Sequence, residues 1–140
     1  FPTLGKNIEA KGLFCFDNKG KIEAFYFYEK GYEHWIREWK DLDNDGKINI
    51  RILWNKEQTT YILNEDNITL HLKVEINDGH YYKLNRYDLT LSNYRFHKKD
   101  IKESFNCEVL ENKKQFLEKI KYENFEFNKQ LEEKLKKRKF

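Results

Sequence analysis

Methionine is missing from the sequence even at position 1, proline occurs once, and cysteine and serine occur twice each. No apolar stretch approaches the ~18 residues that a membrane-crossing helix needs, because charges interrupt every hydrophobic run. The absent initiator methionine leads to the expectation that an export signal precedes Phe1 and has been removed, which would place the protein in the periplasm or outside the cell. Ser92 and Ser104 are the only serines and neither lies in a Gly-x-Ser-x-Gly elbow, so nucleophilic catalysis has little to work with. Six glycines form no phosphate-cradling loop. His34, His71, His80 and His97 are scattered, with no pair spaced to share a zinc ion.

Aromatic residues, by contrast, make up 16% of the 140 residues, too many for a disordered chain, and most fall before residue 111 beside Ile, Leu and Thr. That mixture favours strands. Charge is split: residues 1–111 carry 17 Lys/Arg against 19 Asp/Glu, whereas residues 112–140 carry 10 against 5. The body has no basic stripe with interleaved aromatics, so no nucleic-acid partner is expected there. An anionic partner would meet the tail.

Strands are expected near 12–17, 21–29, 32–40, 48–54 and 59–63, then near 68–76, 80–85, 87–92 and 103–110. Asp17-Asn18-Lys19-Gly20, Asn64-Glu65-Asp66-Asn67 and Asn77-Asp78-Gly79 supply turns between them. Ile48, Ile50, Ile52 and Trp54 alternate with Asn49, Arg51 and Leu53, the pattern of a strand with one apolar face. Eight or nine short strands without intervening helices predict a mainly β fold: an antiparallel meander closing into a lipocalin-like barrel, with a sandwich as the competitor. From Asn112 the period changes to that of a helix, with Asn112 as cap, Gln115 reaching back and a break near Asn124. The expected organisation is therefore a β-barrel over 1–111 and a helical basic tail over 112–140.

Cys15 and Cys107 each sit in a strand-like alternation near the two ends of the β-rich body. In an oxidising compartment a bridge between them would close a loop of more than ninety residues, worth about 4 kcal/mol in the chain-entropy account. Two buried thiols are the alternative.

Asp41-Leu42-Asp43-Asn44-Asp45-Gly46-Lys47-Ile48-Asn49 places carboxylates at alternate positions before a glycine, as in the first half of a calcium loop. Ile52 stands where an EF-hand needs its bidentate Glu, and Asn49 stands in for the ninth-position acid of shorter loops. Weak Ca²⁺ binding by Asp41, Asp43, Asp45 and Asn49 is one reading, and a plain acidic turn is the other. No other cofactor is expected. Phe25, Phe27, Trp35, Trp39 and Trp54, with Tyr26, Tyr28, Tyr81 and Tyr82, are candidates to line an apolar cavity, or else to form ordinary core. Lys134, Lys136, Lys137, Arg138 and Lys139 are candidates to meet an anionic surface, or else a solvated helix end.

Gly12-Leu13-Phe14-Cys15, the stretch Tyr82-Lys83-Leu84-Asn85-Arg86-Tyr87-Asp88-Leu89-Thr90-Leu91, Phe105-Asn106-Cys107-Glu108 and the Lys/Glu-rich helix together resemble uncharacterised small exported β-rich proteins of AT-rich marine bacteria. The resemblance implies export and the cysteine pair, and carries no activity with it. The functional expectation is a non-catalytic periplasmic or secreted module binding an apolar small molecule or a protein. An envelope-associated protein using its tail, and a hydrolase with strand-borne carboxylates, are the alternatives.

Overall fold

The computed structural model describes residues 7–73, 80–95 and 98–138, with only the backbone described for 95 and 98–102. Nine strands and one helix follow in order: β1 (Gly12–Phe16), β2 (Ile22–Phe27), β3 (Tyr32–Arg37), β4 (Ile50–Trp54), β5 (Thr59–Leu63), β6 (Asn67–Leu72), β7 (His80–Asn85), β8 (Thr90–Arg95), β9 (Lys98–Leu110) and α1 (Lys113–Lys137). All pair antiparallel in one sheet of order β4-β3-β2-β1-β9-β8-β7-β6-β5. The sheet curls into a nearly closed barrel, so the competing sandwich falls away. Two meanders, β1–β4 and β5–β9, are joined where β1 meets β9. Cys15 faces Cys107 in that register and the two form a disulfide across a separation of 92 residues.

The barrel's seam is bridged from β5 to the start of β3 and to the turn before it, through side chains rather than a ladder. Thr59 Oγ1 accepts from the Tyr32 amide at 2.8 Å and donates to the Tyr32 carbonyl at 2.6 Å, replacing the missing strand neighbour. The Tyr61 hydroxyl donates to the carbonyls of Tyr28 and Glu29. Gly31 makes room for this closure, since a Cβ there would lie 2.2 Å from the Lys56 carbonyl oxygen.

Alternation along β2 serves two cores. Phe25 and Phe27 point into the barrel with Leu13, Tyr32, Ile68, Leu84, Leu91 and Phe105. Ile22, Ala24 and Tyr26 point outward and are covered by Phe116 and Ile120 of α1, together with Phe14 and Ile50. The helix can approach because Gly12 lacks a side chain: a Cβ there would sit 2.5 Å from the Phe116 ring.

Asn112 caps α1 by accepting from the Gln115 amide, and Gln115 Oε1 accepts in return from the Glu111 amide. The break expected near Asn124 does not occur; α1 is continuous from Lys113 to Lys137. The side chain of Asn124 is occupied elsewhere, accepting from the Ile50 amide at 2.7 Å, while Asn128, one turn on, accepts from the Ile48 amide and donates to the Ile48 carbonyl. Two asparagines of the helix thereby satisfy the outward backbone groups at the start of the β4 edge.

Further boundaries differ from expectation, and β9 begins at Lys98, well ahead of the strand expected near 103–110. The strand expected over 87–92 begins only at Thr90, because Asn85 Oδ1 accepts from the amides of Tyr87 and Asp88 and holds 85–89 in a turn with Leu89 at φ 57°. β3 stops at Arg37, where the Asp41–Gly46 loop begins, and β4 starts at Ile50. Ile52, placed by alternation on an apolar face, is 45% exposed because β4 is an edge strand. The Asn77-Asp78-Gly79 turn lies outside the described residues.

Candidate functional site at the barrel mouth

Following the inward-facing positions along the barrel axis, the lining changes character halfway. At one end Ile8, Leu13, Phe27, Tyr32, Ile68, Leu84 and Leu91 fill the space. At the other, the same strands present Glu23 (two residues before Phe25), His34 (two after Tyr32), Asn93 (two after Leu91) and Glu103 (two before Phe105).

Glu23 is only 4% exposed, and one oxygen accepts a 3.0 Å hydrogen bond from the Tyr82 hydroxyl across the barrel. The other oxygen contacts His34 Nε2. The imidazole is stacked on Phe25 with ring centroids 4.6 Å apart, and the Tyr82 ring meets both edge-on. Burial, then the negative charge of Glu23, push the Tyr82 phenol far above its ordinary value, so it remains a donor to Glu23 across the physiological range. Tyr32 is raised for the same two reasons. Beside this trio Glu103 accepts from Lys21 Nζ at 2.7 and 3.0 Å and from Asn93 Nδ2 at 3.3 Å.

Above the trio lies an open pocket of about 480 Å³ whose lining includes Glu23, His34, Tyr82, Ile36, Leu53 and Glu38. Glu38 is 8% exposed; one oxygen meets Arg51 Nε, while the other has no hydrogen-bond partner among the described residues. Arg51 also meets Asp43 through Nη2, so two carboxylates share one guanidinium. Trp39 stands at the rim, 81% exposed, with the Lys40 ammonium 4.8 Å from its ring centroid. By alternation Ser92 and Ser104 take the positions opposite to Leu91, Asn93, Glu103 and Phe105, which leaves the trio with hydrogen-bonding groups and no serine beside it.

The aromatic residues singled out from sequence are not gathered into one cavity. Phe25 and Phe27 are inside, fully packed. Trp35 is on the outer face against Phe116, Trp39 is on the rim, and Trp54 is half-buried at the end of β4. Tyr82 alone of the longer set reaches the mouth from the far wall.

The acidic loop also goes to several partners. Asp41 accepts from the amides of Asp45 and Gly46, Asp45 from the amide of Lys47, Asp43 pairs with Arg51, and Asn49 Oδ1 accepts from Asn128. Among the described residues no three His, Cys, Asp or Glu side chains converge as a metal site. Lys134, Lys136, Lys137 and Arg138 are exposed at the end of α1, and Lys139 lies outside the described residues.

Glu23 and His34 escaped selection from sequence. Their signal was present: each is a polar residue in an otherwise apolar alternation, Glu23 with Phe25 and Phe27, His34 with Tyr32 and Ile36. What the alternation does not carry is the arrival of Tyr82, 59 residues further along.

Fold and site together define a nearly closed antiparallel β-barrel with a packed floor, a polar mouth and a helix strapped to its outer wall. No family model, curated protein or solved structure matches the chain. No helix among the described residues is long and apolar enough to cross a membrane.

Proposed function

We propose that the protein is a non-catalytic binding module that holds a small organic molecule in the barrel mouth. The observation that carries this reading is Glu23, a buried carboxylate partnered by an imidazole and a phenol at the base of an open pocket. Keeping a charge-bearing group away from water opposes folding unless it is fully hydrogen-bonded, and packing alone would be served by another Leu or Phe. Pockets that combine an apolar wall with a few convergent polar groups are the usual form of small-molecule sites. The filled floor supports a short ligand seated at the mouth rather than a long apolar chain threaded through the barrel.

The proposal extends to export, supported by the Cys15–Cys107 disulfide, which persists in oxidising compartments. The test of binding is a fragment library screened by amide chemical-shift mapping on the disulfide-bonded chain. Saturable shifts are expected at Glu23, His34, Leu53 and Tyr82; a library that moves none of these amides would sink the reading.

A further inference from the structure

Two residues of the described pocket lining keep a buried polar atom without a hydrogen-bond partner, Glu38 and Arg37, the latter through Nε. Glu38 Oε2 is an acceptor with no partner among the described residues, on a side chain only 5% exposed. Each oxygen of Glu23 has one described partner and room for a second. Among the described donors of the region, Tyr82 is bound to Glu23, Lys21 to Glu103, and Arg51 is divided between Glu38 and Asp43. The Arg37 guanidinium lies 4.0 Å from the ring centroid of Phe127, on the helix side of β3. Lys19 remains, on the exposed turn between β1 and β2. The two carboxylates of the pocket wall, Glu23 and Glu38, are both buried, whereas the ammonium groups of its lining, Lys19 and Lys21, belong to the exposed turn between β1 and β2.

The rim adds an apolar side. Trp39 and Leu53 are exposed large side chains beside Glu38 on the pocket wall. The indole face already lies close to an ammonium, that of Lys40, as the quadrupole of an aromatic ring favours.

Resting on the reading of the mouth as a small-molecule site, we propose that its ligand is an organic cation. A primary ammonium or guanidinium group donates to Glu38 Oε2 and to Glu23, and a flat apolar body lies against Leu53 and Trp39. An anion would have to approach two buried carboxylates with the exposed Lys19, Lys21 and Lys40 as the nearest ammonium groups, and a neutral O–H or N–H donor would bond Glu38 Oε2 without offsetting its charge.

Three probes of one shape separate these cases: 2-phenylethylamine, 2-phenylethanol and 3-phenylpropionate, titrated by calorimetry and amide shift mapping into the full disulfide-bonded chain. The amine is expected to bind at the mouth about tenfold or more tighter than the alcohol or the acid, the scale of a charge-assisted hydrogen bond to a buried carboxylate. Glu38→Gln is expected to abolish that preference while leaving the alcohol unchanged, and Trp39→Ala to weaken all three. The wild-type series decides the matter even where a variant folds poorly. Equal binding of the three, or tighter binding of the acid, overturns the cation assignment and leaves the small-molecule reading intact. Failure of all three at the mouth also overturns it, and the fragment screen then decides the broader reading separately.

Discussion

The floor and the mouth of this barrel are built by the same strands and differ in what they ask of them. At the floor Leu13, Phe27, Tyr32, Leu84 and Leu91 interdigitate, Ile8 plugs the end, and Thr59 closes the seam with two hydrogen bonds to Tyr32. At the mouth, one or two inward positions further along, the strands carry Glu23, His34, Tyr82, Asn93 and Glu103. Stability is concentrated at the floor, where apolar side chains leave water. The mouth places polar groups where they oppose folding unless each is partnered.

The largest expected effect removes the staple that spans both halves. Replacing Cys15 and Cys107 by Ser is expected to cost about 4 kcal/mol, read as a lower denaturant midpoint at near-constant ligand footprint in the surviving folded fraction. An unchanged midpoint would mean that the β1–β9 ladder needs no crosslink.

Next in size is the contrast between the two ends themselves. Phe27→Ala at the floor is expected to cost about 3–5 kcal/mol through the cavity it leaves. Trp39→Ala at the rim is expected to stay within about 0.5 kcal/mol. Similar losses at both sites, measured by urea unfolding, would erase the distinction.

Alkaline titration probes the buried phenols. Tyr32 and Tyr82 are raised above the ordinary value of 10, and Tyr28, burdened first by burial and then by its bond to Glu33, is pushed up to about 12. Above pH 10 the unfolded chain loses these protons while the folded chain keeps them. Their contribution is therefore fully present below pH 10 and declines as pH rises beyond it. Tyrosinate absorbance should show the exposed phenols ionising first and Tyr32 and Tyr82 only with unfolding; a single titration near pH 10 in the folded state would contradict the buried mouth.

A smaller loss than that of Phe27→Ala is expected at the sheet's edge. Asn128→Ala leaves the Ile48 amide and carbonyl without the partners that the helix supplies, at a cost of about 1–2 kcal/mol. Because it also uncovers part of a strand edge, concentration-dependent association is expected in light scattering. A monomeric variant of wild-type stability would show that these bonds are dispensable.

Much of the architecture was legible in the chain. The alternation expected from Ile68, the turn residues at Asp17–Gly20 and the change of period at Asn112 are local signals, and β6, the β1–β2 turn and α1 form there. The errors share a cause. A break is expected near Asn124, whose side chain is able to compete for the backbone, yet in the fold that side chain bonds to Ile50 and the helix runs on. The break expected between 85 and 87 extends to Leu89, as the turn formers Asn85 and Asp88 favour. The five aromatic residues assigned to one cavity went to the interior, the outer wall and the rim, since the β2 positions flanking each inward side chain are also apolar and α1 covers them.

By itself, then, the sequence determined which stretches extend, where they turn, where the helix is capped and that two cysteines stand near the ends of the β-rich body. Those properties depend on side-chain period and backbone preference over a few residues. The tertiary structure decided that Tyr82 reaches Glu23, that Thr59 completes the strand beside Tyr32, that Asn124 and Asn128 cover the β4 edge, and that Glu38 faces a pocket with an oxygen to spare. Each of these joins groups from separate elements, brought together by curling the sheet until its ends meet, a geometric condition on the whole barrel that no local pattern records.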